Sequence, residues 1–251
     1  MELTIVNPQP KYQPAALMQP PALGYIHVAA VVAPPAGRTP FPGRSEQKAA
    51  LLRQLKSLAS QLEALPEVVK ATVYRAILVP PPGGYARQHA THPARYDVVV
   101  LIETTSPEVI GAVQASEPYK LLLEAATAAA KDLHVMTAHC IRRIGDVDKT
   151  RQGLFLFNHF VAEDPAVALE LWDYLAGWYQ VETDLDNSTL LQPLGDSPGD
   201  ADYVFVNHSR WDDSLPRFAL RQFGKRSFRS YVLANMQANH VGAMPLLYRL
   251  A

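Results

Sequence analysis

Two short runs limit what this chain can become. YDVVVLIE (96–103) and GLFLFNHF (153–160) are apolar at nearly every position. Their Val, Ile and Phe content favours strands. A strand alternates its side chains between two faces, so a strand that is apolar throughout must be covered on both. A sheet with helices on one side covers only one face. The chain therefore has to supply a second cover.

The order of elements shows where that cover comes from. The pattern predicts a strand over 24–33 and a helix over 45–65, then strands over 70–79 and 96–103. In the helix, Leu51, Leu52, Leu55, Leu58, Leu62 and Leu65 form one apolar face, Ser45 caps the first turn and Pro66 ends it. A helix over 106–133, bent at Pro118, and a strand over 134–144 complete the unit. PPPGGYARQHATHPAR (80–95) is too rich in Pro and Gly for regular structure.

After a polar stretch the order repeats. A strand over 153–162 leads into a helix over 163–181, with Asp164 as cap and Pro165 at its first position. A short strand (187–194), a turn, a strand ending at Trp211, a helix over 214–240 interrupted near Gly224 and a strand over 243–250 follow. Segment 106–144 matches 214–250 in length, pattern and ending. This is an internal duplication of a ferredoxin-like βαββαβ unit. The expected fold is α+β: two tandem repeats packed sheet to sheet as an intrachain α/β barrel, helices outside. A Pro-rich arm (1–23), repeat 1 (24–144), a linker (145–152) and repeat 2 (153–251) make up the chain.

Charge and motifs narrow the function classes. The 251 residues carry a net charge of -1, spread along the chain, so neither a nucleic-acid footprint nor a polybasic membrane anchor is expected. The lone Cys140 excludes an intramolecular disulfide and a cysteine-based zinc site. MELTIVNPQPKYQP lacks a basic start and an apolar signal core, which points to a cytoplasmic protein. There is no Gly-rich phosphate loop and no nucleophile elbow. His27, His89, His92, His134, His139 and His240 lack ligand-motif spacing. No cofactor is expected on these grounds, although a haem would need only one axial His.

The densest chemistry lies in DYVFVNHSRWDD (202–213). Period two puts Asn207, Ser209 and Trp211 on one face and His208 and Arg210 on the other. NHF at 158–160 echoes NHS at 207–209. First and third strands of such a unit are neighbours, so Asn158, His159, Asn207 and His208 are expected close together. The plainer reading is a hydrogen-bonded polar ladder; the sharper one uses a neutral imidazole as general base. On the second repeat's first helix, Trp172 and Trp178 serve either as core or as an aromatic wall. The matching helix of the first repeat is Leu-rich, which places the expected site in the second.

YDVVVLIETTSPEVIGAVQASEPY and YVFVNHSRWDDSLPRFALRQF resemble the dimeric α/β-barrel superfamily, which includes antibiotic-biosynthesis-type monooxygenases, stress-responsive barrel proteins and EthD-like proteins. The resemblance covers about residues 24–251 and implies a cleft between each sheet and its helices. It implies a hydrophobic, aromatic or polyketide-like small molecule as partner. The activity implied is cofactor-independent oxygenation, or cyclisation and isomerisation. Asn207, His208 and His159 would be catalytic, and Trp211, Asn158, Trp172 and Trp178 would bind substrate. A haem-binding barrel, or a non-catalytic ligand-binding and stress-associated barrel, is the alternative. Most members build the barrel from two chains; this one would be complete in one, with further pairing into a homodimer left open. The family's arginine has loose counterparts at Arg226 and Arg229.

Overall fold

The computed structural model describes residues 2–37, 39–195 and 203–251. The predicted turn and the start of its following strand, up to residue 202, lie outside them. In the first repeat the strands are β1 (Gly24–Val31), β2 (Val68–Leu78), β3 (Val98–Thr104) and β4 (Asp132–Arg143). In the second they are β5 (Leu154–Ala162), β6 (Thr189–Pro193), β7 (Phe205–Trp211) and β8 (Val241–Leu250). All pair antiparallel in a closed barrel of order β1-β3-β2-β8-β5-β7-β6-β4. Each repeat keeps the ferredoxin-like order, and two seams join them, β2 to β8 and β4 to β6. Closure removes every strand edge.

This arrangement supplies the second cover that the apolar strands required. One face of β5 sends Phe155, Phe157 and Val161 into the barrel lumen, where they meet Tyr74, Val99, Leu101, Leu246 and Tyr248. The other face sends Leu154, Leu156 and Phe160 outward beneath the helices of repeat 2. In repeat 1 the outer face packs on α1 (Glu46–Leu62) and α4 (Glu117–Ala129) through Leu51, Leu55, Leu58, Leu62 and Leu122. Ser45 accepts a hydrogen bond from Lys48 N at 3.1 Å, so the expected cap forms.

Two local expectations need correction, and a third is met with added detail. The Pro/Gly loop after β2 contains a short helix, α2 (Gly84–His89). Gly84 takes φ +52, which glycine permits without strain, and α2 lies so close to β8 that a Cβ at Gly242 would strike Ala86. The helix before β4 breaks rather than bends: α3 (Ile110–Ala115) ends at extended Ser116, and α4 restarts with Pro118 in its first turn. In repeat 2, α6 (Leu215–Phe223) stops at Gly224, a π-helical turn spans Phe228–Leu233, and α7 (Ala234–Ala238) follows.

The Pro-rich arm is draped along repeat 2. Thr4 N and Val6 N donate to the side-chain oxygens of Asn239 and Asn235 at 2.8 and 2.6 Å, and both asparagine amides donate back to arm carbonyls. Tyr12 is buried against Tyr231 and Trp178. Its hydroxyl donates to Glu182, whose carboxyl is drawn down to about 2 by Lys11, Tyr12 and Lys225 despite its partial burial. Gly177, on α5 (Pro165–Thr183), has no side chain because the Gln13 carbonyl occupies that place.

Candidate functional site

Between the outer sheet face of repeat 2 and its helices lies a cavity of about 460 Å³. The equivalent space in repeat 1 is filled by the Leu-rich face of α1. In repeat 2 the sheet contributes Leu156, Asn158, Phe160, Asn207, Ser209 and Trp211 to the lining. Helix α5 adds Trp172, Leu175 and Tyr179, and the interrupted third helical segment adds Phe218, Phe228 and Met236. The π-helical turn lies at this wall, and such turns are frequent at functional sites. Residues from Leu78 to Tyr85 reach across from repeat 1 to complete the lining.

The polar part of the lining is small and ordered. Asn158 and Asn207 are register partners on β5 and β7. Asn207 sits in a closed ring of hydrogen bonds. Ser188 Oγ donates to Asn207 Oδ1 at 2.6 Å, Asn207 Nδ2 donates to Ser209 Oγ at 3.0 Å, and Ser209 Oγ donates to Ser188 Oγ at 3.0 Å. The ring holds the amide in place and uses only one of its two N–H groups, which leaves one Asn207 N–H outside the ring. Asn158 Oδ1 is buried and has no protein partner. Trp211 Nε1 donates to Thr183 Oγ1 at 3.2 Å and its ring packs on Phe218 with centroids 4.6 Å apart.

Of the seven residues singled out from the sequence, Asn158, Asn207, Trp172 and Trp211 meet in this lining. Trp178 is fully buried one layer away, against Tyr12, Tyr179 and Phe228, with its indole N–H on Ser227 Oγ at 3.1 Å. His159 and His208 point through the sheet into the barrel lumen. The expected cluster of two Asn and two His is therefore split by the sheet, because neighbours along a strand face opposite ways. Arg226 and Arg229 are exposed and do not line the cavity.

The lumen holds its own polar group. His27, His134 and His159 lie near Tyr96 and Tyr203, with ring centroids 4.9–6.5 Å apart. His208 stacks on Phe157 at 4.2 Å, while its Nδ1 meets the Leu156 carbonyl and its Nε2 meets the Tyr74 hydroxyl at 3.1 Å. Burial disfavours the imidazolium form and pushes His27 down to about 3 and His134 to about 4. His159 and His208 are held well below the ordinary range for the same reason. These histidines are neutral at pH 7.

Sequence reasoning missed the Ser188 member of the ring and the strip 78–85. Ser188 lies at the start of what read as a short strand (187–194), and the 78–85 strip belongs to the other repeat. Pairing of β6 with β7 brings Ser188 to the site, and the β2–β8 seam brings the strip.

The described lining contains no His, Cys, Asp or Glu. An axial-histidine haem does not fit such a donor set. Among the described residues no group of three or more His, Cys, Asp or Glu is placed to hold a metal ion.

No family model and no curated protein matches the chain. Solved structures do. An anthrone oxidase-like protein overlays with a TM-score of 0.64 at 13% identity, covering 91% of each chain. The chain shares that protein's fold, here two ferredoxin-like units closed into one barrel. A candidate monooxygenase from Fusobacterium nucleatum overlays on this tandem barrel at 0.58 and 5% identity, covering 93% of this chain and 94% of its own. One from Lactobacillus acidophilus overlays at 0.50 and 8%, covering 92% and 93%. At such identities the likeness is one of fold alone.

Proposed function

We propose that the repeat 2 cavity binds a hydrophobic aromatic or polyketide-like molecule and oxidises it with dioxygen, without haem, flavin or metal. One observation carries this reading. An apolar chamber large enough for a fused-ring molecule has two asparagine side chains side by side on its sheet floor, where Asn158 and Asn207 are register partners. Trp172, Trp211 and Phe218 bound the ring system, and the two amides meet its single oxygen-bearing edge.

The chemistry follows from what the lining lacks as well as what it holds. With no carboxylate or imidazole in the described lining, the side chains offer no general base, so the proton of an acidic phenol or activated CH₂ passes to solvent. The Asn207 N–H outside the ring then stabilises the oxyanion that forms. The electron-rich anion combines with dioxygen, and loss of water leaves a new carbonyl. In balance, CH₂ plus O₂ gives C=O plus H₂O. The surrounding apolar walls exclude bulk water from that step.

Support comes from the neighbours' names, candidate monooxygenases and an anthrone oxidase-like protein, together with the cavity itself. The test is oxygen consumption with a panel of anthrones and polyphenols, run beside a hemin titration. Uptake with one panel member, lost in Asn207→Ala and independent of hemin, supports the reading. Full activity in Asn158→Ala and Asn207→Ala alike, or a requirement for hemin, contradicts it.

A further inference from the structure

The opening of the cavity carries a surface that the reaction does not use. Phe223 and Leu233 line the cavity, yet they are 57% and 45% exposed. A side chain that does both stands at the rim. Leu220, three residues before Phe223 and therefore on the same side of α6, is 73% exposed. Single exposed apolar residues are ordinary, but three around one apolar opening form a patch that calls for a partner.

The charge of the same segment says which partner. From Ser214 to Ala251 the chain has no Asp or Glu. Arg217, Arg221, Lys225, Arg226 and Arg229 fall within it, interleaved along the chain with Leu220 and Phe223 and preceding Leu233. Arg217 and Arg221 pair with Asp213, Arg221 also with Asp184, and Lys225 with Glu182. Arg226 and Arg229 are exposed, and neither has an ion pair among the described residues. Apolar prongs with unpaired guanidinium groups nearby match the boundary of an anionic bilayer, where acyl chains lie beneath phosphates.

We propose that this rim docks on an anionic membrane surface. Leu220, Phe223 and Leu233 enter the headgroup boundary, Arg226 and Arg229 meet lipid phosphates, and a lipophilic substrate passes from the bilayer into the cavity. The passage of substrate rests on the cavity reading above; the docking does not. No described helix is long and apolar enough to cross a membrane, so the contact is peripheral. This departs from the sequence expectation of no membrane partner. That expectation weighed net charge and linear runs, whereas the surface depends on which side chains of residues 220–233 the fold leaves exposed.

Co-sedimentation with vesicles tests it. The protein should bind vesicles of equal parts phosphatidylcholine and phosphatidylglycerol and not phosphatidylcholine alone. Raising salt from low to high should weaken binding by roughly tenfold or more. Leu220→Asp and the double variant Arg226→Glu/Arg229→Glu should each lower it by at least roughly tenfold with melting unchanged. No binding by the wild type, equal binding to neutral vesicles, or binding untouched by both variants overturns the proposal. So does a concentration-dependent dimer that Leu220→Asp dissolves, which would make a second copy the occupant. Vesicle binding by a protein that consumes no oxygen supports the docking and counts against the oxygenase alone.

Discussion

Asn158 and Asn207 stand opposite each other on β5 and β7 and both line the repeat 2 cavity, while the residues that follow them, His159 and His208, lie in the lumen behind the sheet. Two polar dipeptides thus feed two separate chambers. Each chamber makes its own demands on the side chains it receives.

On the cavity side, the ring of Ser188, Asn207 and Ser209 holds the amide in place. Ser188→Ala should leave Asn207 Oδ1 without its donor and let the side chain rotate. We expect a drop of about tenfold in kcat with little change in KM, and Asn207→Ala should lose about 10²-fold. Steady-state oxygen uptake measures both. Equal activity of Ser188→Ala and wild type would mean that the ring plays no part in placing the amide.

On the lumen side, His208→Ala should cost stability rather than chemistry. The change leaves the Tyr74 hydroxyl and the Leu156 carbonyl without their imidazole partner and opens space beside Phe157. A loss of about 2–4 kcal/mol in denaturant unfolding is expected, with kcat per folded molecule unchanged. Selective loss of kcat at full stability would place His208 in the reaction after all.

Acid should unfold this protein early. His27, His134, His159 and His208 are neutral in the fold, with values depressed below the ordinary 6.5. The unfolded chain binds these protons first, so the stability they contribute is present above pH 6.5 and is lost as pH falls from there toward 4. Each such group steepens the fall by about 1.4 kcal/mol per pH unit. Together they remove a large share of the stability of an ordinary domain as pH falls. Melting temperature measured across this range should fall steeply, and His27→Phe should shift the acid transition to lower pH. A flat profile down to pH 4 would mean that the lumen accepts charge.

Gly177→Ala tests the arm. The added methyl meets the Gln13 carbonyl, so residues 9–16 must lift from α5. We expect a loss of about 1–3 kcal/mol and faster proteolysis within the arm, with the barrel intact. Unchanged proteolysis would show that the arm does not depend on that contact.

Much of this architecture was legible in the sequence because two local rules agree with the global fold. Doubly apolar strands required two covers, and the repeated βαββαβ order named the second one. The aromatic helix of repeat 2 against the Leu-rich helix of repeat 1 pointed to the half that holds the cavity. Period two correctly separated Asn207 from His208, but proximity along the chain suggested one cluster where the sheet makes two. Trp178 was indistinguishable from Trp172 in the sequence, since one turn of helix decides which faces the cavity and which faces the arm. The 78–85 strip was invisible because its role depends on the β2–β8 seam, a pairing between repeats that no local pattern announces.

The central claim is that the repeat 2 cavity is where an aromatic molecule binds. The most direct measurement is a tryptophan-fluorescence titration with an anthraquinone, the product class of the proposed oxidation, on the wild type and on Ala176→Phe, which fills the cavity from α5. The account predicts saturable quenching at one equivalent in the wild type and at least roughly tenfold weaker binding in the filled variant at equal folded content. Quenching that is identical in the two proteins would place the ligand elsewhere and contradict the account.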